Sequence, residues 1–338
     1  MLQGHGDDIY RYEDIRINFS SNIYSHADLS ELETHLREMV GMIRNYPEPE
    51  PFSVEAVIAS KYDIPADCVL VTSGATEAIY LIAQTFSLQK ASYTASILHP
   101  TFSEYEDACR MYGIPPLSAY DAAAHSILWL CNPNNPTGTV FSPAEIRQYA
   151  QQFDYVIVDQ SYEDYTLAPM LSPQDAATSR NILQLHSLTK TYAIPGLRIG
   201  YIIAPPSIIR LLRQFVRPWS VNALAIEAGK WLMENNVHVL PDLNAYLSET
   251  ERLRQRLNQI PGIKASETQT SFFLAQVTPY TATELKDYLA KNHHILIRDA
   301  SNFRGLTPHH FRISTQSPQE NNQLVNAIEE FIQQTQDL

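Results

Sequence analysis

The sequence predicts an α/β protein: a mainly parallel sheet flanked by helices, followed by a smaller α+β unit. Three observations lead there. Short β-rich runs alternate with helix-patterned stretches from about residue 66 to 237, the order of a parallel sheet with crossover helices. Around 237–260 the pattern becomes one long polar-faced helix, and after Pro261 and Gly262 two shorter α/β alternations run to the end. At 338 residues the chain also exceeds the roughly 250 to 300 at which a single core stops growing. The expected division is a large domain over 46–237 and a small domain made of 1–45, with an N-terminal arm, and 238–338.

Taken in order, the first 45 residues hold one amphipathic stretch, 28–43 (DLSELETHLREMVGMI), expected to pack on the smaller domain or to reach a neighbouring subunit. Strands are predicted at 68–72 (CVLVT), 92–98 (SYTASIL), 126–131 (SILWLC), 155–159 (YVIVD), 181–187 (NILQLHS) and 198–204 (RIGYIIA). Helices are predicted at 75–86, 101–112, 142–153, 207–215 and 223–233, where apolar residues recur at helical spacing.

Composition narrows the function. Hydrophobic residues at 44% and charged residues at 18% are those of an ordinary globular chain. A formal charge of −13 would repel a phosphate backbone, so nucleic acid is not an expected partner. Cys68, Cys109 and Cys131 are scattered in apolar surroundings without metal-ligand spacing, which predicts core thiols, no metal and a reducing, cytoplasmic setting. No membrane-spanning run and no targeting segment is read from the sequence.

Four segments carry chemistry. In TSGATEAI, 72–79, a strand meets Ser73 and Gly74 and a helix begins at once, aiming free backbone NH groups at an anion. Gly74 permits close approach and Thr76 adds a hydroxyl, although an ordinary capping turn has the same look. CNPNNPTGTV, 131–140, puts Asn132 and Asn135 at a strand's carboxyl end, where open α/β sheets bind ligands. Asp159 ends its strand in YVIVDQSYEDY, where a desolvated carboxylate needs a cation such as a protonated pyridine nitrogen. A helix N-cap is the alternative there. In HSLTKTYAIPGLRIGY, 186–201, Lys190 lies among Ser187, Thr189 and Arg198, a cationic, hydroxyl-rich setting that can hold a phosphate and lower the amine's pKa. A neutral amine is what attacks an aldehyde.

The order of phosphate cup, Asn-Pro loop, strand-end Asp and Ser-x-x-Lys with a downstream Arg resembles the fold type I, aspartate-aminotransferase-like enzymes of the class I/II aminotransferase family, which use pyridoxal 5′-phosphate (PLP). The resemblance runs over almost the whole chain. It implies that Lys190 carries PLP as an imine and acts as the general acid and base, that Asp159 holds the pyridine nitrogen, and that Asn135 and Tyr162 contact the ring oxygen. Phe102 would stack on the ring, while Ala75, Thr76, Ser187, Thr189 and Arg198 would hold the phosphate. It further implies a homodimer in which Tyr46 of RNYPEPE reaches the partner's phosphate, and a substrate carboxylate on Arg312 of FRIST.

Within that family, INFSSNI, RPWSVNALA and HILIRDASNFRGL are similar to the L-threonine-O-3-phosphate decarboxylases of cobalamin biosynthesis and to the histidinol-phosphate aminotransferases. By that likeness His5, Gly6, Asn22, Arg298 and Asn302 join Arg312 as candidates for substrate contact. Asp7 stands where the decarboxylases carry the last glycine of HGG, Gln160 and Ser161 stand where Glu and Ala are common, and the stretch 117–126 is shorter than in relatives. The expected reaction is decarboxylation of a phosphorylated amino acid, with amino transfer to 2-oxoglutarate as the rival. A non-catalytic PLP-fold regulator is the third reading, but it would be marked by a lost lysine or an added DNA-binding unit.

Overall fold

Alternating residues of each central strand supply two separate apolar cores, and this double burial organises the molecule. The computed structural model describes residues 7–89, 91–117, 125–235 and 237–336. Its main sheet has seven strands: β1 (Val69–Thr72), β2 (Thr94–Ile97), β3 (Pro116–Leu117), β4 (Ser126–Cys131), β5 (Tyr155–Asp159), β6 (Ile182–Ser187) and β7 (Gly200–Ile203). They lie in the order β1-β7-β6-β5-β4-β2-β3. Only β7 runs antiparallel to its neighbours.

Val69, Val71, Leu128, Leu130, Val156 and Val158 face one side, against Val54 and Ile58 of helix Phe52–Tyr62 and Ala225, Ala228 and Leu232 of helix Ala223–Glu234. Leu70, Ile127, Trp129 and Ile157 face the other, against Ile79, Ile82 and Phe86 of helix Gly74–Ser87 and Ala108 of helix Glu104–Met111. A strand covered on both faces reads as a continuous apolar run, as these do. Local signals set the ends. Ser142 and Glu145 form a reciprocal capping box with Pro143 in the first turn of helix Pro143–Gln152.

The second unit begins with helix Leu243–Leu257, capped by the Asp242 carboxylate. It then forms a four-stranded antiparallel sheet in the order Arg298–Asp299, His310–Ser314, Phe272–Val277, Ile263–Ala265. Helices Ala282–His293 and Pro318–Gln336 complete its core. The N-terminal arm belongs to this unit: Ile17–Asn18 pairs in parallel with Ile295–Leu296, and Ile17 and Phe19 enter the same core.

The stretch expected on the smaller unit is corrected here. Helix Ser30–Met39 sends Leu32 into the core of the large sheet beside Val54 and Ala228. His35 stacks on Trp231 and lies 2.9 Å from Glu227. Leu29, Leu32 and Leu36 share one helical face, and that face fits the helices beneath β1 rather than the smaller sheet.

The arm is held by a buried ion pair. Lys286 Nζ donates to both oxygens of Asp8 at 2.8 and 2.6 Å, and both side chains are less than a tenth exposed. Lys286→Met would leave the Asp8 charge buried and alone, at a cost of about 3 kcal/mol or more. Urea denaturation should read that loss, and adding Asp8→Leu should recover most of it. An unchanged midpoint for the single variant would show that the pair does not hold the arm.

Candidate active site

β1, β4, β5 and β6 all end on one edge of the sheet, and the antiparallel β7 begins there: Gly200 lies opposite both Thr72 and Ser187. The edge therefore gathers the segments after each strand. A Cβ at Gly200 would sit 2.8 Å from the Ala75 nitrogen, so only glycine lets the start of helix Gly74–Ser87 rest against β7 and β6. At Gly74, φ is +84° and a Cβ would meet Arg198 Nη2 at 2.5 Å.

Between these ends lies a cavity of about 210 Å3 walled by Ala75, Thr76, Phe102, Asn135, Asp159, Tyr162, Ser187, Thr189, Lys190 and Arg198, with Tyr105, Cys131, Ser161 and Pro195. Asp159 is 4% exposed and accepts hydrogen bonds from Tyr105 Oη at 2.7 Å, Ser161 N at 3.0 Å and Ser161 Oγ at 2.6 Å. Among the described residues no basic side chain forms an ion pair with it. Thr189 Oγ1 is buried without a hydrogen-bond partner among the described residues, and such a hydroxyl calls for one. Burial pushes Tyr162 up to about 12, so its phenol stays protonated and able to donate.

Lys190 lies on a single helical turn, Leu188–Thr191, whose carbonyl at 190 accepts from Tyr165 Oη at 2.7 Å. Its Nζ donates to the Ser21 carbonyl at 3.0 Å and lies 5.9 Å from the centre of the Tyr162 ring. Burial first, then the nearby Arg312, lower the amine to about 8. Neutral pH therefore leaves a usable fraction of free base.

A second cavity of about 220 Å3 shares Phe102, Asn135, Tyr162, Lys190 and Pro195 with the first and continues to Asp7, Ser20, Ser21, Ile23, Ser103, Arg298, Asn302, Phe303 and Arg312. Arg298 and Arg312 are direct cross-strand partners, so both leave the same face of the small sheet. Arg312 Nη1 donates to Asn135 at 2.5 Å, its Nη2 donates to the Ser20 carbonyl, and its Nε has no hydrogen-bond partner among the described residues. Arg298 Nη2 donates to Asn302 Oδ1 at 2.7 Å. Burial lowers both guanidinium groups to about 10, still charged at neutral pH. Two buried cations opposite one another are mutually unfavourable, a cost that an anion between them offsets.

A larger hollow of about 430 Å3 lies behind the Lys190 turn among Tyr62, Glu163, Asp164, His186 and Leu243. Its carboxylates, with His186 only 2.7 Å from Glu163, suit no phosphate.

Most candidates read from the sequence thus meet on two adjoining walls. His5 and Gly6 lie outside the described residues. Asn22 is buried at 1% exposure and lines neither cavity, but its side chain lies against Tyr162, a residue of both walls. Tyr46 is 86% exposed beside Trp219 and away from its own chain's cavities. Sequence reasoning missed Tyr105 and Ser161. Tyr105 was readable as one helical turn beyond Phe102, whereas Ser161 required the fold of the chain after β5.

The residues fit PLP: an orphan hydroxyl, an arginine and an open glycine turn for a phosphate, a buried carboxylate lacking a cation, and a depressed lysine. The family model for class I and II aminotransferases matches residues 14–328. The crystal structure of L-threonine-O-3-phosphate decarboxylase from Porphyromonas gingivalis is 36% identical, with a TM-score of 0.90 over 94% of this chain and 100% of that one. The threonine-phosphate decarboxylase of Salmonella typhimurium is 26% identical over 92% of this chain and 90% of its own. A histidinol-phosphate aminotransferase of Desulfitobacterium hafniense is 29% identical over 85% of this chain and 84% of its own.

The amine at Lys190 sets a pH dependence. Below about 8 it is mainly protonated, and above about 8 it is free to attack. The rate at which apoprotein takes up PLP, followed by absorbance, should rise with pH and level off above about 8. A rate that is flat across this range would mean that the amine is not depressed.

Proposed function

Since the chain belongs to the class I and II aminotransferase family and uses PLP, we propose that it decarboxylates L-threonine O-3-phosphate. The observation that supports this most is the cross-strand pair Arg298 and Arg312 beside Lys190, two anion grips in the space where a substrate must sit. In this reading the larger body, residues 46–237 joined by helix Ser30–Met39, holds the cofactor, and the smaller body with the arm holds the substrate. The bound cofactor supplies an electron sink for a bond broken at the substrate's α-carbon.

The chain's own residues do the rest. Asp159 would pair with the ring nitrogen, Tyr162 and Asn135 would contact the ring oxygen, and Phe102 would pack against the ring. Gly74, Ala75, Thr76, Ser187, Thr189 and Arg198 would hold the cofactor phosphate. The Lys190 amine would bind the cofactor and then move a proton at the α-carbon. Arg298 with Asn302 would grip the substrate phosphate, two of whose oxygens match the planar fork of a guanidinium. The substrate groups held by the two arginines would select which bond at the α-carbon the cofactor's electron sink breaks. With the phosphate on Arg298 and the carboxylate near Arg312, the bond to the carboxylate would break, CO2 would leave, and a proton from Lys190 would take its place at the α-carbon.

Amino transfer from histidinol phosphate to 2-oxoglutarate is the second reading, because relatives of both names match at comparable identity. The decarboxylase is favoured by the 36% identity and full coverage of its solved structure. We place the enzyme in the cytoplasm as a homodimer, with the exposed Tyr46 offered to the partner's phosphate site. No helix among the described residues is long and apolar enough to cross a membrane.

Holoenzyme incubated with L-threonine O-3-phosphate should release CO2 without an amino acceptor. Glutamate formed from histidinol phosphate and 2-oxoglutarate, without CO2 from the first substrate, would overturn the choice. Lys190→Ala should abolish turnover and the absorbance of lysine-bound cofactor. Arg298→Met should raise KM for the phosphorylated substrate by about tenfold or more, the size of one lost charge-assisted bond, and leave unphosphorylated threonine unaffected.

A further inference from the structure

We infer that Ser161 is a positioning residue for the cofactor: its hydroxyl saturates one oxygen of Asp159 and so directs the other, Oδ2, to the ring nitrogen while keeping the shared proton on that nitrogen. The inference rests on the assignment of Asp159 proposed above and goes beyond it.

A carboxylate offers about four acceptor positions, two on each oxygen. Oδ1 of Asp159 receives both the backbone NH of Ser161 at 3.0 Å and its Oγ at 2.6 Å. Oδ2 receives Tyr105 Oη at 2.7 Å. Oδ1 is therefore filled, and the position left over is on Oδ2. Ser161 is 9% exposed and lines the same cavity as Asp159 and Tyr105, so water does not readily replace its hydroxyl.

Its geometry is set locally. The residue two after a strand-end Asp can turn its NH back onto the carboxylate, a turn that Asp favours, and a serine there adds the hydroxyl at no further backbone cost. An alanine in the same place would keep the NH contact and lose the other. Tyr105 is fixed independently. Its ring stacks on Trp129 with centroids 5.3 Å apart, and it comes from helix Glu104–Met111, the element that follows Phe102.

The consequence is electronic. Hydrogen bonds donated to a carboxylate favour its charged form, more so in a dry site where each is strengthened. The oxygen left to face a pyridine nitrogen is then Oδ2, its aim fixed by Ser161 on Oδ1 and by Tyr105 beside it. The proton stays on nitrogen, and the ring keeps its capacity to withdraw electrons from the substrate.

The test uses apoprotein reconstituted with PLP labelled with 15N in the ring, whose chemical shift reports protonation at that atom without turnover. Wild type should show the protonated-pyridine position and Asp159→Asn the neutral one. Ser161→Ala should move the signal from the first toward the second while cofactor absorbance shows it still bound. Ser161→Thr and Ser161→Val, equal in shape and different in the hydroxyl, repeat the comparison if alanine perturbs folding: threonine should hold the wild-type shift and valine should lose it. If Asp159→Asn moves the signal and neither Ser161→Ala nor Ser161→Val does, the role of Ser161 is overturned. If Asp159→Asn itself moves nothing, the assignment of Asp159 fails, and this inference with it.

Discussion

A sheet buried on both faces leaves its polar chemistry one place to gather, the edge where the strands end. In this chain Ile, Leu, Val and Trp129 fill both sides of the middle of β4 and β5, so side chains along their length have no route to a ligand. Asp159 and Ser187 are the last residues of β5 and β6, and Asn132 follows β4 directly. The parallel arrangement brings these ends to a common level, because crossover helices return each strand in the same direction. Every cofactor contact proposed above depends on that alignment. The antiparallel β7 does not break it, since its first residue, Gly200, lies at the same edge and is small enough to let the helix from Gly74 approach.

The charge distribution follows from the same geometry. Lys190, Arg198, Arg298 and Arg312 converge on two joined cavities, whereas the chain as a whole carries a net charge of −13. A cationic pocket within an acidic molecule draws small anions inward and leaves polyanions outside. Burial acts on the members differently. It depresses the lysine enough to matter at neutral pH, and it lowers the two small-sheet arginines without discharging them. One group thus keeps a free-base fraction near neutral pH while its neighbours stay charged.

Much of this was legible in the sequence, for reasons that differ by residue. Asp159 was readable as a carboxylate closing a short apolar strand, Asn135 from the Asn, Pro, Thr and Gly order of its loop, and Lys190 from the hydroxyls and arginine around it. The strands at 126–131 and 155–159 agree with the structure at both ends, since apolar runs bounded by polar residues mark them sharply. The packing of helix Ser30–Met39 was not legible: its apolar face specifies burial but not which surface supplies it, and two bodies were available. The pairing of Arg298 with Arg312 was equally hidden, because the register of an antiparallel pair separated by an irregular loop is set by tertiary contacts. Ser161 was readable only as a serine where alanine is common, because the turn after β5 is what places its hydroxyl on Asp159.

The arm ties these observations together. Residues 18–23 lie far in sequence from both the lysine and the arginines, yet the carbonyl of Ser21 accepts from Lys190 and that of Ser20 accepts from Arg312. Asp7 donates its NH to Ser20 Oγ and reaches the substrate cavity beside them. The arm is fixed at one end by Asp8 on Lys286 and along its length by pairing with Ile295–Leu296, immediately before Arg298. A single segment therefore touches Lys190, Arg312 and the strand that leads to Arg298. Where a carboxylate such as Asp7 stands in place of a glycine, it adds a negative charge to a pocket otherwise built for anions. On the proposed reading, that charge would favour substrates whose anionic groups are held by the arginines and whose amine lies toward the arm. It would work against a ligand that places a phosphate at the N-terminal side, so the arm would bear on substrate choice together with the arginines.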